Sequence, residues 1–300
     1  MKVLISGANG LIGSAIVKSL EDDGHKVLRL TRSAPRNSLE VQWQPEKNVF
    51  PPEERDKIIG IDAAIHLAGE PIMGRWSEEK KKRIYESRVA STKLLSETLA
   101  GLPQLPRVFL CASAVGYYGS CGDKILTEDS APGDDFLAEV CRDWEDAADA
   151  ARNAGIRVVH TRFSIVLSTG GGALQKMLLP FKLGLGGPLG SGEQYMSWIT
   201  LHDTTRAVRF ALDNEAVSGA LNFSAPEPVT NRAFTRALGR AVHRPAVLPL
   251  PAFALRLALG TQSANETVLA SVRAIPEKLT AHGFQFQHSQ IDEALRQLLA

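Results

Sequence analysis

Short apolar runs alternate with longer amphipathic stretches through the first half of the chain, and the two periods predict alternating strands and helices. Runs at Lys2–Ser6, Lys26–Thr31, Ala63–Leu67, Arg107–Ala112 and Arg157–Arg162 are brief and rich in Val, Ile and Leu, as strands buried on both faces must be. Between them lie helical stretches from Leu11 to about Asp22, about Glu78–Ala100 and Phe136–Asn153, with Gly24 and Gly155 as C-terminal stops. This rhythm predicts an α/β fold built on a Rossmann-type, doubly wound parallel sheet.

After Leu167 the texture changes. Gly170-Gly171-Gly172 leads into an amphipathic stretch through Phe181, and the glycine-rich GLGGPLGSGEQ that follows reads as loop or lid. A helix from about Asp203 to Asn214, with Asp203 as its cap, and a strand at Leu221–Ser224 are expected to return to the main sheet. From Pro226 the chain reads as mostly helical, with Asn231 as an N-cap and an extended, proline-rich connector at Pro245–Phe253. The expected division is a sheet domain of residues 1–165, rejoined by 200–225. Residues 166–199 and 226–300 are expected to form a smaller, mainly helical substrate-side domain.

At 300 residues and 44% hydrophobic content the chain can bury a large core. A net charge of +1 gives no reason to expect a nucleic acid or a membrane as partner, and Lys80-Lys81-Lys82-Arg83, following Glu78-Glu79, reads as a solvated helix face. Three cysteines, Cys111, Cys121 and Cys141, form no CxxC pair, and a strand begins at Lys2 where a signal segment would lie. A reduced, cytoplasmic setting is expected. No apolar run has membrane-spanning length, and no His/Cys cluster has metal-ligand spacing, so no metal is expected.

The first chemistry-bearing feature is MKVLISGANGLIG. Gly7 permits the tight turn out of a buried strand, Gly10 lets backbone approach a pyrophosphate, and Gly13 lets the next helix pack closely on the sheet. That helix aims the N–H groups of Leu11, Ile12 and Gly13, and its positive dipole end, at bound phosphates. The end of the second strand selects the cofactor. An acid there would bind a free ribose 2′-hydroxyl, but the chain has Thr31-Arg32-Ser33, whose guanidinium matches a 2′-phosphate; NADP(H) is favoured over NAD(H). Leu67 and Ala68, ending another strand at the same sheet edge, leave room for the dinucleotide, while His66 reads as a hydrogen-bonded scaffold residue. Arg88 on the next helix could project toward the dinucleotide. Arg83, about 140° around that helix, serves the same ligand only by reaching across.

Taken together, GANGLIG, HLAG, ASAVGYYG and WITLHD resemble the extended short-chain dehydrogenase/reductase superfamily. FLAEVCRDWE, PFKLGLGGPLGSGEQ, NFSAPEPVTN and IPEKLTAHGFQF narrow the resemblance to its atypical branch of epimerase family proteins, similar to nucleoside-diphosphate-sugar epimerases, over essentially the whole chain. The resemblance implies cofactor contacts at Gly7, Gly10, Gly13, Thr31, Arg32, Leu67, Ala68 and Arg88, and a close approach to the nicotinamide near Val166. It also implies a Tyr-x-x-x-Lys pair, in which the lysine lowers the tyrosine's pKa and a serine orients the substrate oxygen. Here Ser113 is present, but register places Leu137 at the tyrosine and Cys141 at the lysine, and neither can do that work.

Ser113 and Tyr117 remain as candidate catalytic groups. Glu139 and Cys141 read first as helix residues, and Trp198 and Gln194 as candidate substrate contacts. Two functions stay open. One is an NADP(H)-dependent oxidoreductase or epimerase acting on a small polar substrate. The other is an NADP(H)-binding sensor without turnover, in which cofactor occupancy positions the lid for a partner. A homodimer packed through the Glu78–Ala100 and Phe136–Asn153 helices is expected by analogy only.

Overall fold

A computed structural model describes residues 1–300. Seven strands form its central sheet: β1 (Lys2–Ser6), β2 (Lys26–Thr31), β3 (Glu40–Gln42), β4 (Ala63–His66), β5 (Val108–Ala114), β6 (Arg157–Phe163) and β7 (Gly219–Phe223). They lie in the order β3-β2-β1-β4-β5-β6-β7, and every pairing is parallel. The strand order reverses between β1 and β4, which opens a crevice beyond the C-terminal ends of the strands. The five strands expected from the first half are all present. The short β3 has too few residues to show a period.

The principal helices are α1 (Leu11–Asp22), α2 (Glu78–Ala100), α3 (Phe136–Asp146), α4 (Gly172–Lys182), α5 (Leu201–Asp213), α6 (Asn231–Ala241) and α7 (Ile291–Leu299). Alternate strand residues serve opposite faces of the sheet. Val3 and Ile5 join Ile16 and Leu20 of α1 and Val208 of α5 in one core cluster, whereas Leu4 joins Leu95 and Leu99 of α2 and Trp144 of α3 in another. Covering both faces removes the usual polar alternation of a strand, which is why these strands read as continuous apolar runs. A third cluster, including Phe181, Trp198, Phe234, Leu238 and Leu295, joins α4, α6 and α7 beside the sheet. Three short paired segments, Trp198–Thr200 with Ile165–Leu167, Val229–Thr230 with Tyr195–Met196 and Arg273–Ala274 with Ile125–Leu126, tie this region to the strand ends.

Three local expectations are corrected. The helix expected over Phe136–Asn153 is interrupted at Ala147–Ala148 and resumes as Asp149–Asn153. There the Ala151 N–H donates to Ser96 Oγ of α2 at 2.8 Å, so a tertiary hydrogen bond competes with the helix ladder. Thr200, not Asp203, caps α5, its Oγ1 accepting from the Asp203 N–H. Thr230, not Asn231, caps α6. Asn231 is the first helical residue; its Oδ1 accepts from the Leu189 N–H and its Nδ2 donates to Met196 Sδ.

Relieved of capping, Asp203 is fully buried and fastens the chain's tail. Its carboxylate accepts from the backbone N–H groups of Gln287 at 3.1 Å and His288 at 2.8 Å, and from Arg206 Nη1 at 2.9 Å. Truncation leaves these donors without an acceptor. Asp203→Ala should therefore lower the unfolding free energy by about 3 kcal/mol. Urea titration is the check, and a loss within experimental error would contradict this role.

Candidate active site

The turn after β1 is built by close backbone contact. Gly7 has φ +69°, and a Cβ there would lie 2.9 Å from the Leu67 carbonyl carbon. A Cβ on Gly13 would fall 2.1 Å from Gly7 O, so α1 can approach the turn only with glycine at that place. Gly10 differs, because its Cβ would meet only Gly7 O, at 3.3 Å. The protein leaves that side open. No side chain caps α1 and no acid stands in its first turn, so Leu11, Ile12 and Gly13 present free N–H groups at the crevice.

Around this turn the structure gathers most of the sequence candidates. Ser6 Oγ accepts from the N–H groups of Leu67 and Ala68, fixing the end of β4 beside Gly7. The same oxygen lies 2.6 Å from His66 Nδ1, and His66 Nε2 lies 3.0 Å from Ser91 Oγ, whose proton goes to Ser87 O at 2.6 Å. With two N–H groups already directed at it, the Ser6 hydroxyl donates to Nδ1. His66 is then the neutral Nε2–H tautomer. Burial holds its pKa down to about 3, as a scaffold role requires. Val166 lies in the segment Ile165–Leu167, and Gly171 and Gly172 just after it pack against Leu11.

Thr31 and Arg32 end β2, next to β1. Arg29 pairs with Glu21 and Arg36 with Glu40, whereas Arg32 is exposed and makes no ion pair. Arg88 lies behind the Ala68–Gly69 turn, donating to the carbonyls of Glu70 and Ile84 and resting over the Trp144 ring, with Gly69 leaving space for its guanidinium. Arg83 points to solvent, pairs with Glu79 and lies 3.7 Å from Glu70. It does not share Arg88's position. Lys80, Lys81 and Lys82 are likewise paired with Glu70, Glu78 and Glu86.

The catalytic candidates meet a buried ion pair that sequence reasoning missed. Arg162, at the end of β6, makes two 2.8 Å bonds to Glu145 of α3, and Ser113 donates to the same carboxylate at 2.7 Å. Arg162 also donates to Tyr118 Oη at 2.9 Å, and its guanidinium lies 3.5 Å from the centre of the Tyr117 ring. Burial acts to raise the Glu145 pKa, but the hydrogen bonds and charge of Arg162 outweigh it and hold the carboxyl below its usual range. A charged residue ending the apolar run VVHTR was the available signal, since buried arginines need partners.

Leu137 packs in the core over Gly116, and Cys141 is buried, its thiol pushed up to about 12 by burial. Burial thus favours the protonated thiol over the thiolate. Trp198 and Gln194 turn inward: Trp198 Nε1 donates to Glu227 O, and Gln194 Nε2 to the carbonyls of Leu189 and Val268.

A family comparison matches residues 3–223 to the NAD dependent epimerase/dehydratase family. The chain belongs to that family. Residues 250–298 match a domain of unknown function, DUF1731. Among the relatives of this epimerase/dehydratase family member, the Epimerase family protein Mb2239 of Mycobacterium bovis is 46% identical over 98% of this chain and 96% of its own. The crystal structure of the human epimerase family protein SDR39U1 (isoform2) with NADPH is 34% identical, with a TM-score of 0.90, covering 100% of this chain and 99% of that one. A nucleoside-diphosphate sugar epimerase from Corynebacterium glutamicum is 36% identical with a TM-score of 0.81, covering 100% of this chain and 58% of that one. Thermus thermophilus UDP-glucose 4-epimerase, at 19% identity and a TM-score of 0.75, shares the fold.

The buried imidazole beneath the crevice has a pH consequence. Burial disfavours the charged ring, so the stability due to His66 is complete above the unfolded-chain value of about 6.5. It is lost as pH falls from there toward about 3, the value burial imposes. His160, held down to about 4 by burial, acts in the same direction. Each should cost about 1.4 kcal/mol per pH unit once the unfolded ring protonates. Unfolding free energy measured between about pH 5 and 6 should fall with a slope to which both rings contribute, and His66→Gln should remove that ring's share, about 1.4 kcal/mol per pH unit. An unchanged slope in that variant would refute the assignment.

Proposed function

We propose that the chain is an NADP(H)-dependent oxidoreductase or epimerase acting on a small polar carbonyl or alcohol. The observation that carries this reading is the combination of an uncapped, acid-free α1 N-terminus with an exposed, unpaired Arg32 at the end of β2. A pyrophosphate against Leu11, Ile12 and Gly13 leaves the adenosine end toward β2. Thr31 and Arg32 then supply a hydroxyl and a guanidinium for a 2′-phosphate. Leu67 and Ala68 line the wall, Val166 stands at the nicotinamide end, and Arg88 adds positive charge behind Gly69. Arg83 contributes only by leaving Glu79. That the human relative was crystallised with NADPH supports the choice of cofactor.

Bound NADP(H) supplies or accepts hydride, and the chain must move the accompanying proton at the substrate oxygen. Leu137 and Cys141 offer no group for this. Tyr117, half-buried in the turn Val115–Tyr118 that follows β5 and with its ring against Arg162, offers its hydroxyl, and Ser113 offers an oxygen lone pair, its own proton being directed to Glu145. A second reading, an NADP(H)-dependent sensor without turnover, is favoured by one specific observation: Ser113 is held inside a buried ion-pair network.

Arg32→Asp should weaken NADPH binding at least about tenfold and shift preference toward NADH, a loss of about 1.4 kcal/mol or more. A fluorescence titration reads it, and unchanged NADPH affinity would exclude the cofactor assignment.

Tyr117→Phe should leave NADPH affinity intact and lower turnover of carbonyl or alcohol substrates by about a hundredfold or more, as loss of an acid–base group does. Ser113→Ala should weaken turnover less. A cellular role that survives both substitutions and disappears with Arg32→Asp would favour the sensor.

A further inference from the structure

The net charge of +1 hides a segregation of charge along the chain. Residues 150–192 and 228–265 contain no Asp or Glu, yet they include Lys176, Lys182, Arg236, Arg244 and Arg256, all exposed and none in an ion pair. The fold brings parts of these two segments side by side. The Leu248 N–H donates to Gly186 O, the Leu250 N–H to Pro188 O, and Arg244 Nε to Lys182 O. A Cβ on Gly187 would fall 1.7 Å from Leu248 O, so the two strips touch backbone to backbone.

On these two strips stand the six most exposed large apolar side chains of the protein: Leu179, Leu183, Leu185, Val247, Phe253 and Leu257, each at least 60% accessible. Leu179 and Leu183 are one helical turn apart at the end of α4. Phe253 and Leu257 are one turn apart on the helix Ala252–Leu259. Beside them Arg236, Arg240, His243, Arg244 and Val247 line an open concavity of about 590 Å³. The C-terminal dipole of α6 accounts for cations at that helix end. It does not account for an adjoining apolar surface, which water disfavours.

We infer that this face docks on an anionic lipid bilayer, with its leucines and Phe253 entering the headgroup boundary and its unpaired lysines and arginines meeting lipid phosphates. Charge complementarity selects this occupant. A second copy of the chain docked through the same face would oppose the unpaired cations Lys182, Arg236, Arg244 and Arg256 of both copies, with Asp292 already engaged by Arg240. The apolar side chains protrude from helix ends and turns, a shape suited to a fluid interface. No helix is long and apolar enough to cross a membrane, so the docking is peripheral.

Co-sedimentation with vesicles of phosphatidylglycerol and phosphatidylcholine, against vesicles of phosphatidylcholine alone, tests the inference on the full chain. Binding should be at least about tenfold tighter to the anionic vesicles and should weaken as salt shortens the screening length. The double variants Phe253→Ser/Leu257→Ser and Lys182→Ser/Arg236→Ser should each weaken it at least about tenfold with unchanged thermal midpoints. Equal or absent sedimentation of the unmodified chain with both vesicles would overturn the proposal. So would doubles that bind as before, or a lipid-independent dimer that both doubles convert to monomer.

Discussion

The buried pair of Arg162 and Glu145 is the interaction around which the candidate active site is arranged. It joins β6 to α3, takes the Ser113 hydroxyl at the end of β5, reaches Tyr118, and gives Tyr117 a cationic surface to lie on. Two opposite charges this deep are held only because their hydrogen-bonding capacity is largely used, and removing either would strand the other at a cost of about 3–5 kcal/mol. The polar chemistry beneath the crevice is therefore largely committed to structure. What is left facing outward is the Tyr117 hydroxyl and backbone.

The neighbouring crevice is organised in a different way, by the absence of side chains. Gly7 and Gly13 are forced by backbone contact, while Gly10 is free of such contact on its open side. The neutral His66, bonded to Ser6 and Ser91, locks the two strand ends that form the walls. An arrangement made from backbone N–H groups and packed glycines changes little when a phosphate arrives, which is the preorganisation that anion binding needs. The walls of the crevice are thus held by packing, while Leu137 and Cys141 of α3 are buried in the core.

The region beyond the sheet has its own core around Trp198, Phe234 and Leu295 and is fastened to the sheet-bound α5 through Asp203. Trp198 and Gln194 hold this region together instead of facing a ligand. The outer surface of this region carries the six most exposed large apolar side chains, together with the unpaired Lys176, Lys182, Arg236, Arg244 and Arg256.

Much of the fold was legible in local sequence because its causes are local. Apolar runs covered on both faces read as parallel strands, and Gly7, Gly10 and Gly13 announced a strand–turn–helix, with Arg32 at the end of the strand that follows. The three-residue β3, the interruption at Ala147–Ala148 and the true caps Thr200 and Thr230 were not legible. Each depends on a weak signal or on a hydrogen bond competing from another element, as Ser96 competes for the Ala151 N–H. The Arg162–Glu145 pair lay further out of reach, because it joins residues whose meeting is set by strand order and helix docking. By itself the sequence determined the glycine-bearing strand–turn–helix, the sheet and the apolar or thiol character of positions 137 and 141, since those follow from residue type at a fixed spacing. Only the tertiary structure decided which polar groups are committed to the interior and which charges share a face, since both depend on distances between segments that the chain keeps far apart.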